Sequence, residues 1–212
     1  MAELYDLRRE YGINVLTEDQ LDPNPFSQFR EWFNQTLDSG LPDPNAMILS
    51  TSGSNNRPSS RIVLLKEITT TGFTFFSHYE SRKGHEIQQN PYGALLFPWH
   101  ILERQVRIEG KIVKSDPVKS DEYFQSRPEG SQIAAWTSQQ SQEIPSRGYL
   151  ETREEQFRAE FKVQTIPRPP QWGGYCLIPD LFEFWQGRES RLHDRFEYYL
   201  KESLWKIRRL AP

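Results

Sequence analysis

A single cysteine, Cys176, stands among 212 residues. No intrachain disulfide framework can form, and a reducing compartment is the natural expectation. No apolar run approaches the ~20 residues that a membrane-spanning helix needs. The N-terminal stretch MAELYDLRREYG lacks the apolar core of a signal peptide. Glycine is missing where nucleotide phosphates would want it. Neither a P-loop nor a dinucleotide fingerprint occurs, and the glycines of WGGY, Trp172 to Tyr175, have the wrong spacing. The four histidines, His78, His85, His100 and His193, lack metal-ligand spacing, and one cysteine cannot complete a zinc site. No Gly-x-Ser-x-Gly elbow appears. Basic excess is absent too: 26 Lys and Arg face 29 Asp and Glu, for a net charge of −3. No global field draws nucleic acid or anionic lipid, so any anion must be held by a local cluster. These absences exclude a dinucleotide fold, a metallohydrolase, a nucleic-acid binder and a membrane protein, and leave a cytoplasmic globular protein as the expectation.

What is present is aromatic content, at 13%, within 36% hydrophobic and 26% charged residues. The length fits one domain, 1–212, with room for a sizeable core. Residues 1–22 are polar and weakly periodic, and read as an arm. DPNPFSQFREWFNQTLDSG then carries a helix signature, with Asn24 as N-cap, Pro25 at the first helical position and Gly40 past the end. Phe26, Phe29, Phe33 and Leu37 recur at helical spacing. From Ala46 the pattern turns to short strands: AMILSTS, SSRIVLLKE, FTFFS, GALLFPW and ERQVRIEGKIV. In the last of these Val106, Ile108 and Ile112 face one way and Gln105, Arg107 and Lys111 the other, with Gly110 expected to mark a bulge or bend. SRKGHEIQQNP is a short helix opening on Ser81. Three more helices follow, then WGGYCLIP, LFEFW and the hairpin DRFEYYL-KES-LWKIRRL return to strand. The expected class is mainly β with flanking helices (α+β), and six or more antiparallel strands suggest a barrel closed on itself, because closure removes exposed edges.

Basic residues gather beside strand and helix ends. Arg61 and Lys66 sit at the two ends of RIVLLK, read as a buried strand; taken alone, solvated strand tips are the plainer explanation of both. Arg82 and Lys83 open a helix, where free N–H groups and the positive end of the dipole already favour anions. Gln105 lies on a polar strand face, where an amide could read a heterocycle or simply meet water. Tyr123, Arg127 and Ser131 recur at spacing four, with Pro128 between the last two, a candidate anion grip. Near the C-terminus Arg191, His193 and Arg195 lie at i, i+2 and i+4. On a strand all three would share one face. Like charges on one face repel unless a counter-ion sits among them, so an anionic ligand is the favoured reading.

At these residues the sequence resembles the pyridoxamine 5′-phosphate oxidase family. The C-terminal signature is Glu183-Phe184-Trp185-Gln186, four variable residues Gly187 to Ser190, then Arg191-Leu192-His193-Asp194-Arg195. RIVLLK, SRK, LLFPWH, LERQVRIEG, YFQSRP, SQIAAW and the terminal RLAP match in the same order, and the likeness runs from Leu7 to Pro212. The resemblance implies an antiparallel, Greek-key-like, FMN-binding split β-barrel that forms a homodimer with FMN at the subunit interface. Segment 171–212 would serve dimerisation and the substrate site. Matched residue by residue, the resemblance implies FMN contacts from Arg61, Ile62, Val63, Leu64, Leu65 and Lys66. Phe76, Ser77, Arg82, Lys83 and Gln105 would join them, as would Gln140, Ser141, Trp185 and Arg195, some from the second subunit. It implies substrate contacts from Lys66, Tyr123, Arg127, Ser131, Arg191, Leu192 and His193. Arg8 and Tyr11 match an N-terminal arm that can close over the site. Arg188 and Ser190, inside the variable quartet, receive no role.

The implied reaction is FMN-dependent oxidation of pyridoxamine 5′-phosphate and pyridoxine 5′-phosphate to pyridoxal 5′-phosphate by O2, with release of hydrogen peroxide. Arg191 and His193 would hold the pyridine ring against the reacting centre. The residues themselves expect a neutral His193, because Arg191 and Arg195 disfavour a third positive charge. Two other readings stay open: a flavin or nitro reductase of the same fold, and a non-catalytic flavin or pyridoxal-phosphate carrier.

Overall fold

Asn24 caps the first helix as its sequence demands. Its side chain accepts from the Phe26 N–H, Pro25 occupies the first turn, and α1 runs Pro25–Asp38 in the computed structural model, which describes residues 4–7 and 9–212. The buried face is Pro25, Gln28, Phe29, Trp32 and Thr36, while Leu37 is exposed. The stripe expected through Phe26, Phe29, Phe33 and Leu37 is therefore rotated toward Trp32. The reason is the indole: Trp32 meets Phe184 edge-on at 5.3 Å and lies under the Arg104 guanidinium at 4.3 Å.

Nine strands and five α-helices follow from the described residues. The strands are β1 Ala46–Ser52, β2 Pro58–Leu64, β3 Glu67–Ile68, β4 Phe73–His78, β5 Tyr92–Trp99, β6 Arg104–Lys114, β7 Trp172–Gln186, β8 Asp194–Lys201 and β9 Leu204–Arg209. The remaining helices are α2 Arg82–Gln89, α3 Pro117–Gln125, α4 Glu129–Thr137 and α5 Arg147–Glu160. The hydrogen-bonded order is β2-β1-β5-β6-β7-β4-β3, with β8 on β7 and β9 on β8. The fold is mainly antiparallel β with helices, in the split-barrel class. The sheet is not closed, which corrects the expected closed barrel: β3, at the end of the path, is two residues long and offers almost no ladder to a further strand.

Three local expectations are corrected. WGGYCLIP and LFEFW are one fifteen-residue strand, β7: the in–out alternation runs straight through the expected break, with Ile178 exposed, Pro179 buried and Asp180 exposed. Burial parity continues through Gly110 from Val106 and Ile108 to Ile112, so no bulge interrupts β6. Strand β2 is half-exposed, with Ile62 71% exposed, and Lys66 lies beyond its end.

Contacts divide the chain into two interleaved units. One comprises Met1–Leu49, Ala94–Gly110 and Pro179–Pro212; the other comprises Ser50–Gly93 and Lys111–Ile178. In the first, Phe29 packs on Phe97 at 4.9 Å and on Trp99 at 5.5 Å, and the inward row of β7 and β8 pairs Phe182 with Tyr198 and Phe184 with Phe196. In the second, Phe75 stacks on Tyr175 across the β4–β7 ladder, and Phe124, Ile133, Phe161, Ile166 and Trp172 form a buried cluster. Burial of these side chains at ~25 cal/mol per Å² is the main stabilising term in each unit.

Candidate active site

The second unit holds a cavity of about 680 Å³ whose lining is basic and aromatic. Five cations reach it: Arg61, Lys66, Arg82, Lys83 and Arg127. None of the described residues lining it is acidic. Ser59 to Leu64 bring one edge of β2, Phe76 and Ser77 the end of β4, and Arg82 with Lys83 the first turn of α2. Tyr123, Arg127, Gln140, Ser141 and Trp172 complete it.

Ser81 caps α2 by accepting from Gly84 N, which leaves the other first-turn donors of the helix free of capping side chains. Lys83 turns inward and is 7% exposed. Its ammonium donates to Gln140 Oε1 at 2.6 Å, Ser77 Oγ at 3.0 Å and Ser81 Oγ at 3.1 Å. Burial, then the nearby Arg61 charge, lowers its pKa to about 8. The ammonium bonds only neutral oxygens, and the nearby Glu86 charge is already shared by Arg61 and Arg82, so it is short of a counter-ion.

Behind the cavity wall the Glu86 carboxylate organises two arginines. It accepts from Arg82 Nε at 2.8 Å, Thr51 Oγ1 at 2.6 Å, Ser59 Oγ at 2.5 Å and Arg61 Nη2 at 3.4 Å. Burial would push this carboxyl up, but the hydrogen bonds from Ser59, Thr51 and Arg82 and the Arg61 charge hold it down at about 2. Arg61 also donates to Thr51 Oγ1 at 2.5 Å and to Ser59 Oγ.

Opposite lies an aromatic stack. Phe76 stacks on Tyr123 at 4.0 Å and on Trp172 at 5.5 Å, and the Arg127 guanidinium lies over Trp172 at 4.7 Å. Arg127 Nη1 is buried without a hydrogen-bond partner. An orphaned guanidinium N–H costs on the order of 1–3 kcal/mol unless an acceptor meets it. This donor set fits phosphate, and the flat aromatic surfaces beside it fit a planar ring.

Of the residues the resemblance implied, Leu65 and Ser131 do not line this cavity; Leu65 is buried, and Ser131 sits in the first turn of α4. Trp172, Ser59 and Glu86 were missed. Trp172 could have been found from β4–β7 pairing, because register places it opposite His78.

The other implied residues, Gln105, Trp185, Arg191, Leu192, His193, Arg195 and Tyr11, belong to the first unit; Arg8 lies outside the described residues. The expected same-face array of Arg191, His193 and Arg195 is corrected. Arg191 falls in the 3-10 turn Glu189–Arg191 with φ 61°, and β8 begins only at Asp194. Nor does Arg195 need a ligand as its counter-ion. Its Nε donates to the buried Glu183 carboxylate at 2.8 Å, which also takes Arg107 at 2.7 Å. Arg195 stands directly across from Trp185 in the β7–β8 ladder. His193 lies 4.5 Å from the Trp185 ring and 5.8 Å, edge-on, from Tyr11. Tyr11 is held there because Glu103 Oε2 accepts from the Gly12 and Ile13 N–H groups at 2.8 and 3.1 Å. The His193 pKa is lowered as expected, with burial first and Arg191 and Arg195 after it.

Residues 33–160 match the family model described as pyridoxamine 5′-phosphate oxidase, and residues 172–212 match the pyridoxine 5′-phosphate oxidase C-terminal dimerisation region. The chain belongs to the pyridoxamine 5′-phosphate oxidase family. It is 55% identical over 213 residues to the pyridoxine/pyridoxamine 5′-phosphate oxidase of Paraburkholderia phymatum, with 100% of both chains covered. It is 52% identical, again over 100% of both, to that of Cupriavidus taiwanensis. Among solved structures, PhzG of Burkholderia lata, in complex with tetrahydrophenazine-1-carboxylic acid, superposes with a TM-score of 0.88 at 29% identity. That match covers 94% of this chain and 98% of PhzG. A pyridoxamine 5′-phosphate oxidase-related, FMN-binding protein of Nostoc punctiforme shares the fold at TM-score 0.70 and 18% identity, over 91% of this chain and 100% of that one. The family is one of enzymes, and the chain is an oxidase of this type.

Proposed function

We propose that the protein binds FMN and oxidises pyridoxamine 5′-phosphate and pyridoxine 5′-phosphate to pyridoxal 5′-phosphate, with O2 as electron acceptor. The observation that carries this reading is the acid-free lining of the cavity, where Arg127 keeps a buried, unpartnered N–H. FMN and a phosphorylated pyridine together bring about 3–4 negative charges at pH 7, and five cations meet them there. Full-length identity of 55% to a protein of that name supports the substrate class.

The FMN phosphate would be held by Arg61, Arg82 and Lys83, with Ser77, Gln140 and Ser141 beside it. The substrate phosphate would be held by Lys66, Tyr123 and Arg127, joined by Ser131 from the first turn of α4. Gln105, Trp185 and Arg195 would complete the flavin site. The match to a dimerisation region supports a homodimer in which a second subunit supplies some of these groups. When bound, FMN supplies the hydride acceptor and the route by which O2 becomes hydrogen peroxide. Balanced, the amine reaction consumes O2 and water and yields pyridoxal phosphate, ammonia and peroxide; the alcohol reaction consumes O2 and yields pyridoxal phosphate and peroxide. The chain's own groups orient the substrate: Arg191 and His193 would pin the ring and Leu192 would flank it, a proximity effect. Tyr11 would exclude water beside His193.

Anaerobic addition of pyridoxamine phosphate to the flavin-loaded protein tests the reading. Bleaching of the flavin absorbance with formation of one aldehyde per flavin is expected. Yellow protein that stays yellow would support a carrier instead, and bleaching only by reduced nicotinamides would support a reductase. A tricyclic carboxylic acid such as PhzG's ligand has no phosphate to engage Arg127, so the phosphorylated pyridine is the better fit.

A further inference from the structure

The quartet Gly187 to Ser190 is shaped by more than chain reversal. Ser190 and Arg191 both take left-handed φ values, 53° and 61°, a conformation that non-glycine residues hold only when surroundings impose it. Two contacts do so. Glu10 Oε2 accepts from Ser190 N at 3.1 Å, and Arg188 Nη1 donates to Asp194 Oδ2 at 3.0 Å. Asp194 is itself fixed: it is 8% exposed, and accepts from Arg209 Nη1 at 2.8 Å and from Leu16 N at 3.2 Å.

With its guanidinium tied down, Arg188 points its backbone N–H at His193 Nδ1, 3.1 Å away. A nitrogen that accepts a hydrogen bond carries its lone pair, so the ring proton must sit on Nε2. Protonating Nδ1 would set one N–H against another. Arg191 and Arg195 add positive charge near the ring, Asp194 is already shared by two guanidiniums, and Tyr11 meets the ring edge-on at 5.8 Å. The Trp185 ring packs against it at 4.5 Å with a 45° tilt.

We propose that Arg188 is a positioning residue of the substrate site: its bridge to Asp194 holds its N–H on His193 Nδ1 and locks the imidazole as a neutral Nε2–H donor. The chemical class this donor recognises is an anionic or ring-bound oxygen on the substrate, never an N–H. The substrate role rests on the oxidase reading above; the tautomer does not.

The test uses flavin-loaded enzyme labelled with 15N-histidine, with the His193 signals assigned by their loss in His193→Asn. Long-range 1H–15N correlation should show the proton on Nε2 and a bare Nδ1, before any substrate is added. Arg188→Ala should bring in the second tautomer and raise KM for pyridoxamine phosphate about tenfold, the worth of one hydrogen bond. Its kcat should stay within about twofold and its flavin content should be unchanged. Arg188→Lys, able to reach Asp194, should recover most of the KM. A wild-type spectrum with the proton on Nδ1 overturns the proposal, and so does Arg188→Ala with wild-type tautomer and KM. Should Arg188→Ala fail to fold, the wild-type spectrum and the Arg188→Lys KM still decide. Absence of turnover with a bare Nδ1 would sink the oxidase reading and leave the lock standing.

Discussion

The Lys83 ammonium donates to Gln140 Oε1 at 2.6 Å, joining the first turn of α2 to a loop 57 residues on. Neither residue carries a compensating negative charge. In the proposed function the pair is two members of a three-body contact, the third being the FMN phosphate. With its pKa lowered to about 8 by burial and Arg61, Lys83 loses its proton in a range where phosphate remains a dianion.

Anion binding to flavin-free protein should therefore weaken as pH rises. A bound phosphate raises the Lys83 pKa, so binding takes up a proton above pH 8, and affinity for FMN should fall by up to ~10-fold per pH unit there. Lys83→Met should bind more weakly and show no such slope. Titration of FMN between pH 7 and 9.5 checks this, and a flat wild-type profile counts against Lys83 as a phosphate ligand.

Glu86 makes a different prediction at acid pH. Its carboxyl is held at about 2, below its usual 4.5, so the folded state favours the ionised form. The stabilisation is complete above pH 4.5 and is lost as pH falls through about 2. Glu86→Gln should lower stability at pH 7 by about 1–3 kcal/mol, through loss of charge-assisted bonds to Arg61 and Arg82. Its acid limb should be flatter than that of wild type. Chemical denaturation at pH 7 and pH 3 measures both; equal differences at the two pH values would contradict the assignment.

Arg127→Ala should remove the grip on the substrate phosphate and spare the flavin. A charge-assisted hydrogen bond contributes about 1.5–3 kcal/mol, so KM for pyridoxamine phosphate should rise ~10–150-fold. Flavin content should stay near one per chain. Arg127→Lys should recover only part of the loss, since lysine cannot reproduce the planar fork lying over Trp172. A variant that loses flavin and substrate affinity together would place Arg127 on the cofactor.

Arg82 and Arg191 should separate in the opposite sense. Arg82→Ala should lose flavin on dilution, with ~10-fold weaker FMN binding. Arg191→Ala should keep its flavin and lose turnover by at least ~10²-fold, the scale of a misplaced reactant. Absorbance after gel filtration, set beside kcat, distinguishes them.

Much of this was legible in the residues, and the failures have physical causes. Asn24-Pro25 and Ser81 marked helix starts because capping is local chemistry, and each start is where the capping residues put it. The cations from Arg61 to Arg127 were legible one by one at helix and strand ends, where solvated charges explain them as well; that they line one cavity depends on the tertiary fold. The carboxylates were not readable. Nothing local says that Glu86 serves Arg61 and Arg82, or that Glu183 neutralises Arg195, because both pairings need tertiary register. The Arg191-His193-Arg195 array failed for a related reason. Strand parity was assumed, whereas two left-handed residues, fastened through Glu10 and Asp194, turn the chain before β8 begins.

The most direct test is an oxygen electrode with purified, FMN-loaded protein and pyridoxamine 5′-phosphate. The account expects one O2 consumed and one peroxide released for each pyridoxal phosphate formed, with activity collapsing in Arg127→Ala at low substrate. A flavin-saturated protein that consumes no oxygen with either phosphorylated substrate would contradict it.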